Sequence, residues 1–310
     1  MTKQWTAELS VEPELAKRLI ESQFPALTPV SLKLIGEGWD NIVYRVNNDY
    51  AFRFPRRQIA VALLETEGRV LPHLVPRLPL SIPEPLFFGQ PGPEFPWQFL
   101  GYRFVEGQTA CKARLSLEER ARLAVPLAHF LKALHAIPVG QATEFGVRPD
   151  MSPGPSGLKR CDIQGRWPIA FENVKKIQAL GLFAQCDKLF ALLESLKNVK
   201  EYGPHRLVHG DLYARHLLVN HERELCGVID WGDVHVGPAI DLQIVYSFLP
   251  RSAHRDFFDV YGPIDEGTRQ VALFRAIYHT TLTNVLYGHD VGDKDLLDEG
   301  LLGLRLMVGE

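Results

Sequence analysis

Two carboxylates and two histidines in neighbouring stretches are the residues of this chain whose types and spacing could do chemistry together. The first stretch is Leu207-Val208-His209-Gly210-Asp211-Leu212-Tyr213-Ala214-Arg215-His216-Leu217-Leu218, and Gly227-Val228-Ile229-Asp230-Trp231-Gly232-Asp233 follows. An apolar run leads into His209-Gly210-Asp211, a second metal-capable side chain, His216, comes five residues after Asp211, and another apolar run ends on Asp230. Such an order can gather two carboxylates and one further ligand around a single pocket. Phosphoryl transfer asks for that set: one carboxylate to orient an attacking hydroxyl, and other ligands to hold Mg²⁺ on the β- and γ-phosphates, where charge shifts in the transition state. A His-Gly-Asp triplet by itself is an ordinary strand-end turn. Its spacing to Ile229-Asp230-Trp231 and the strands around it make it specific.

These residues need a scaffold, and the remaining text supplies one. A helix is expected near Glu12–Gln23, and Val30, Leu32 and Leu34 alternate as a strand does. Gly36-Glu37-Gly38-Trp39-Asp40-Asn41 interrupts that strand, Ile42–Val46 resumes it, and Asn47-Asn48-Asp49 turns the chain into a third strand, Tyr50–Phe54. A helix over about Gln58–His73 and two short strands, Leu86–Phe88 and Gln98–Phe104, complete five strands with one inserted helix. From Glu106 the texture becomes helical: Ser116 and Glu119 form a capping-box signature, and Pro126 should kink or split the helix that follows. Val139–Gly157, rich in Pro and Gly, reads as an insert or mobile loop, and Phe171–Lys197 as a helical stretch. Leu217–Val219 and Leu225–Ile229 read as a hairpin, and everything after Pro238 as helix.

The HGD and IDW segments resemble the H-G-D-x-x-x-x-N and I-D-[FW] motifs of aminoglycoside and macrolide phosphotransferases and their choline-kinase relatives. The resemblance spans about Val30 to Leu242, although only those two segments are specific. It implies an α+β, bilobal protein-kinase-like fold, with a small five-stranded nucleotide-binding lobe over residues 1–104 and a larger, mostly helical lobe over 105–310 that carries the catalytic loop and the substrate. It implies that Asp211 is the catalytic carboxylate, that His209 and Gly210 shape its loop, that Asp230 binds metal, and that Asp241 is the family's later Asp. The family's second metal ligand is usually Asn, and here His216 stands in its place. Imidazole is a poorer partner for hard Mg²⁺ than a carboxamide oxygen, so His216 binds metal directly, holds a metal-bound water, or packs beneath the loop.

On the nucleotide side, the resemblance places Gly36 and Gly38 in the phosphate-covering loop and Arg53 where kinases keep a Lys on the phosphates. Glu67 is the matching helix carboxylate, with Glu65 the alternative register, and Leu100–Val105, including Tyr102 and Phe104, matches the hinge that holds the base. The implied reaction moves the γ-phosphate of ATP or GTP, with Mg²⁺, to a hydroxyl of a small molecule. Retained Asp211 and Asp230 favour an active enzyme; His216 and Arg53, in place of Asn and Lys, leave a pseudokinase that binds nucleotide without turnover as the alternative. A metal-dependent hydrolase using His209, Asp211 and His216 is weaker, because a two-metal site would demand further ligands.

Composition narrows the partners. A net charge of −3 in 310 residues gives no electrostatic footprint for nucleic acid. No apolar run is long enough to span a bilayer, and the charged start lacks the h-region of a signal peptide. Cys111, Cys161, Cys186 and Cys226 are scattered without a C-x-x-C pair, which fits free thiols in a reducing cytoplasm. Oligomeric state is left open. For the acceptor, the apolar residues after Pro238 (Ile240, Leu242, Ile244, Phe257 and Phe274 among them) are mostly core, yet they outnumber the acidic ones and, with His216, place a macrolide slightly ahead of an aminoglycoside, a metabolite weighing as much as both together. The six acidic and two basic residues from Asp290 to Glu310 read as a solvated helix before an acidic wall for a cationic acceptor.

Overall fold

The computed structural model describes residues 7–38, 40–149, 160–199 and 202–309. The chain divides into two compact units: the first runs to Arg77 and adds Ser81–Val105 and Trp231–Asp233, and the second holds Leu78–Leu80, Glu106–Asp230 and the chain from Val234 on.

In the first unit, helix α1 (Pro13–Gln23) opens with Pro at N1, where a missing N–H costs nothing. Strands β1 (Leu32–Glu37), β2 (Asn41–Val46), β3 (Tyr50–Pro55), β4 (Glu84–Gly89) and β5 (Phe99–Arg103) form one antiparallel sheet, ordered β1-β2-β3-β5-β4. Asn47 and Asn48 take φ of 49° and 62°, the left-handed geometry of a tight hairpin turn, which Asn tolerates best after Gly. Alternate side chains of β2 and β3 then face α1 in an aromatic core: Phe54 stacks on Phe99 with centroids 4.7 Å apart, and Phe52 on Phe87 at 5.4 Å. Gly101 on β5 makes that core possible, since a Cβ there would sit 2.6 Å from the Phe52 ring. Helix α2 (Gln58–Leu74) packs on β3, β4 and β5.

In the second unit, Ser116 and Glu119 close a reciprocal capping box on helix Leu117–Arg122. The expected break falls at Leu123, and Pro126 sits at the third position of helix Ala124–His135, where its absent N–H leaves no bond unmade. Two expectations need correction. The expected loop begins instead with a helical turn and a half, Val139–Glu144, while its residues 150–157 lie outside the described residues. The stretch placed at Phe171–Lys197 is two helices, Ile163–Ala179 and Cys186–Ser195, parted where Gly181 turns left-handed at φ 66°. Both line a core shared with the C-terminal helices.

Short strands carry the segment of interest. Strand β6 (Gln108–Thr109) pairs with β8 (Leu217–Val219), which pairs with β9 (Leu225–Val228), while β7 (His205–Val208) pairs antiparallel with β10 (His235–Pro238). β6 and β10 are too short to carry a period and were not legible beforehand. Helices Glu266–Ile277 and Thr283–Val291 are joined by a π-helical turn, Tyr278–Leu282, and Lys294–Val308 follows. All four cysteines are free thiols, and among the described residues no helix is long and apolar enough to cross a membrane.

Candidate active site

The loop between β7 and β8 is held from below by one carboxylate. Asp241, fully buried, accepts from the backbone N–H of His209 at 2.7 Å and of Gly210 at 3.0 Å. His135 donates to the same carboxylate from Nε2 at 3.2 Å, and its Nδ1 lies 2.8 Å from the Tyr261 hydroxyl. Burial alone would push the Asp241 carboxyl up, but His135, His209 and the backbone N–H groups outweigh it and hold it below the usual carboxylate range. Gly210 has φ 88°, a left-handed turn that brings two successive N–H groups onto Asp241. The Gln243 side chain donates to the Leu212 carbonyl at 3.0 Å.

Buried His209 is a brace within this loop. Its Nδ1 accepts from the Asp211 N–H at 3.3 Å, so its proton is on Nε2, 3.1 Å from the Ile229 carbonyl. One imidazole thus ties the Asp211 loop to the end of β9, and burial lowers its affinity for a second proton. Asp211 itself is partly exposed, and its Oδ1 accepts from His279 Nε2 at 2.6 Å. Burial raises the Asp211 carboxyl, but His279, with His216 and His209 nearby, overrides this and keeps it ionised well below the ordinary range.

His216 joins both carboxylates. Its Nδ1 donates to the Asp211 main-chain carbonyl at 2.7 Å, and its Nε2 lies 3.4 Å from Asp230 Oδ2. The tautomer that serves the carbonyl leaves the Nε2 lone pair facing Asp230. An imidazole nitrogen and a carboxylate oxygen 3.4 Å apart form a donor set that fits a divalent ion. Among the described residues no group of three or more His, Cys, Asp or Glu side chains forms a complete cage, so a cation here would draw its remaining ligands from phosphate or water. Asp230 has φ 67°, a left-handed backbone uncommon outside Gly and Asn or Asp and often found at working sites.

The first unit gathers its own charged cluster. Arg53 donates to Glu67 Oε2 at 3.0 Å, and the correctly oriented Asn41 amide oxygen accepts from the same guanidinium at 2.9 and 3.1 Å. Glu67 is buried, whereas Glu65 is exposed and is not the partner. A Cβ on Gly232 would lie 3.9 Å from Arg53 Nη2, so Gly232 borders this guanidinium within the first unit. Arg57 pairs with Asp40 at 2.9 Å. Gly38 bonds from N–H to the Asn41 carbonyl, and Arg56 donates to the Gly38 carbonyl. Neither Gly36 nor Gly38 has a positive φ, and a Cβ on either would make only ordinary contacts, at 3.9 and 3.6 Å. Nothing in the fold demands glycine there, which leaves bare backbone for a ligand to approach. Of the two residues expected in a hinge, Tyr102 is buried in the sheet, and the Phe104 N–H is already donated to the Asp49 carbonyl at 2.8 Å.

A profile of the phosphotransferase enzyme family (APH) matches residues 31–274. The chain belongs to that family. Among solved structures, it is similar to the GDP and kanamycin complex of APH(2″)-IIIa at 28% identity, covering 92% of this chain and 95% of that one, with a TM-score of 0.67. It is similar to the GDP complex of wild-type aminoglycoside 2'-phosphotransferase-IIIa at 27% identity, covering 94% and 97%, also with a TM-score of 0.67. Macrolide 2'-phosphotransferase MphH from Brachybacterium faecium, at 20% identity, 89% and 92% coverage and a TM-score of 0.56, shares the fold. As an APH-family phosphotransferase, the protein is an enzyme that transfers a phosphoryl group to a hydroxyl.

Within this phosphotransferase, the second unit brings Asp211, His209, His216 and Asp230 together, and the first unit brings Arg53 and Glu67 together. Sequence reasoning missed the partners His279, Arg275, His135 and Asn41. Arg275, buried, donates to the carbonyls of Gly210 at 3.5 Å and Arg160 at 3.3 Å, has no partner for its Nε, and is pulled down to about 10 by burial. The signal was present, because Arg275 and His279 interrupt an apolar helical face at a spacing of four. The apolar residues after Pro238 belong to the core: Ile240, Leu242, Ile244, Phe257 and Phe274 are all buried, which removes the argument for an apolar acceptor groove. In the acidic terminal stretch, Glu299 is buried against Arg120 and Asp295 pairs with Arg114, so that acidity partly serves the fold.

Proposed function

We propose that the protein moves the γ-phosphoryl group of ATP or GTP to a hydroxyl of a small molecule, and that Asp211 aims that hydroxyl. The observation that carries this is the Asp211 loop: its carboxylate is ionised, fixed by His279 through one oxygen, and mounted on a backbone pinned by Asp241. The acceptor oxygen attacks the γ-phosphorus, the bond to the β-bridging oxygen breaks, the nucleoside diphosphate leaves, and the hydroxyl proton passes to Asp211. His216 Nε2 and Asp230 Oδ2 are the atoms that would hold a divalent cation, whose chemistry is to neutralise the charge shifting between the β- and γ-phosphates. Arg53, steadied by Glu67 and Asn41, supplies a phosphate-binding cation, and the bare backbone at Gly36 and Gly38 lies on the same nucleotide-binding unit. Tyr102, buried in β5, supports the base-holding segment through packing rather than through its ring edge.

The relatives at 27–28% identity were solved with GDP, and one of them with kanamycin as well, so GTP with kanamycin is the first pair to test. The deciding experiment measures nucleoside diphosphate release from Mg·GTP and Mg·ATP with kanamycin, an erythromycin-type macrolide, and neutral and anionic sugar alcohols. Acceptor-dependent release that vanishes in Asp211→Ala supports the reading. Nucleotide binding with no release for any acceptor would leave the pseudokinase.

A further inference from the structure

Asp211 offers two carboxylate oxygens, and the structure treats them differently. Oδ1 accepts the short, charge-assisted bond from His279 at 2.6 Å. Oδ2 lies 3.8 Å from His216 Nδ1, whose proton is directed to the Asp211 main-chain carbonyl instead. We propose that His279 is a positioning residue for phosphoryl transfer: by holding Oδ1 it fixes the rotation of the carboxylate and makes Oδ2 the oxygen that receives the acceptor hydroxyl. This rests on the reading of Asp211 as the partner of that hydroxyl.

Three features support a positioning role over a merely structural one. His279 lies on the π-helical turn Tyr278–Leu282, an interruption of the α-helical pattern that tends to occur at functional sites. Its side chain is 32% exposed, so filling the core does not account for it. Four residues earlier, Arg275 reaches the Gly210 carbonyl, so one helix secures both the peptide before Asp211 and the Asp211 side chain. A loose phosphoryl-transfer transition state gains little from a strong base and much from an aimed nucleophile, so fixing the carboxylate is where a neighbour can contribute.

The test uses the full chain with Mg·GTP and kanamycin, or the acceptor found active in the panel above, and compares His279→Ala, His279→Phe and His279→Gln. His279→Ala and His279→Phe should lower kcat by about tenfold to a hundredfold while both KM values stay within about twofold, because aim is lost and binding is not. His279→Gln, which returns an N–H at a similar reach, should recover most of that loss. An unchanged kcat in His279→Ala, or equal losses in the Gln and Phe variants when all melt alike, would overturn the inference. A second measurement does not need turnover: in wild type, proton NMR should show a protected, downfield imidazole N–H that disappears in both His279→Gln and Asp211→Ala. If no acceptor is turned over but that resonance is present and behaves so, the functional reading has failed and the pairing stands. If the resonance is missing from the folded wild type, the pairing itself is wrong.

Discussion

Among the described residues, each unit contains an arginine–glutamate pair withdrawn from solvent, and the two pairs are built differently. Arg120 and Glu299 meet in two parallel bonds of 2.7 and 2.6 Å, with side chains 1% and 8% exposed. Arg120 also donates to the Leu115 and Phe248 carbonyls and lies over the Phe248 ring. That pair ties helix Leu117–Arg122 to helix Lys294–Val308. Arg53 and Glu67 make a single 3.0 Å bond, and Arg53 keeps 15% of its side chain exposed. Burial of an ion pair therefore does not mark function. The phosphate-binding role proposed for Arg53 rests instead on a cation held in place by its neighbours and still reachable.

Substitutions can break this contrast, because a site group should lose rate and spare stability while a structural pair does the reverse. The largest effect is expected at Asp211→Ala, with a fall in kcat of about 10³–10⁴-fold and a melting temperature close to wild type. A variant that melts far below wild type would show that Asp211 holds the fold together. Next comes Glu299→Ala, which strands a buried guanidinium and should cost about 3–5 kcal/mol in urea unfolding, with kcat of the folded fraction unchanged. Replacing both partners, Arg120→Met with Glu299→Leu, should recover much of that stability, and failure to do so would mean the pair has a role beyond its own desolvation.

Asp241→Asn occupies the ground between the two classes, since it touches both the core and the loop. It should cost about 1–3 kcal/mol at neutral pH, because two backbone donors and His135 lose a carboxylate acceptor. Its carboxyl is held below the ordinary range in the fold, so its stabilising share is complete above the unfolded value of about 3.9 and is lost as pH falls below it. Urea midpoints of wild type and variant should therefore converge as pH drops below about 4, and a gap that stayed constant with pH would contradict this. The smallest effect is expected for Arg53→Lys: a loss of about tenfold in kcat/KM for nucleotide with stability nearly unchanged, because a point charge replaces a fork. Equal kcat/KM would remove Arg53 from the phosphate-binding role.

How much could be read beforehand depended on sequence distance. Asn47-Asn48 announced its hairpin and Ser116…Glu119 its cap, because both devices close within a few residues. The grouping of Asp211, His216 and Asp230 was legible because they lie within one hairpin's length. His279 was not, since it meets Asp211 from 68 residues downstream in a run that otherwise reads as buried helix. Periodicity could not choose the acceptor from the residues after Pro238: a 3.6-residue repeat reports that one face is apolar, not whether a core or a ligand covers it. Phe104 was placed in the expected hinge by resemblance alone, and its N–H is already bonded to Asp49, a partner that only the β3–β5 pairing brings near.

The π-helical turn at Tyr278–Leu282 bears on how this chain is compared with others. Such a turn holds one residue more than the α-helix around it, so its presence depends on the length of the chain rather than on any particular amino acid. Deleting one residue here would restore a regular α-helix and rotate everything before it by about 100° relative to everything after it. Either Arg275 would leave the Gly210 carbonyl or the terminal helices would lose their packing. An ungapped alignment against a relative lacking that extra residue would therefore match His279 to a neighbour facing elsewhere. Descent across this segment is better traced through insertions and deletions than through conserved letters.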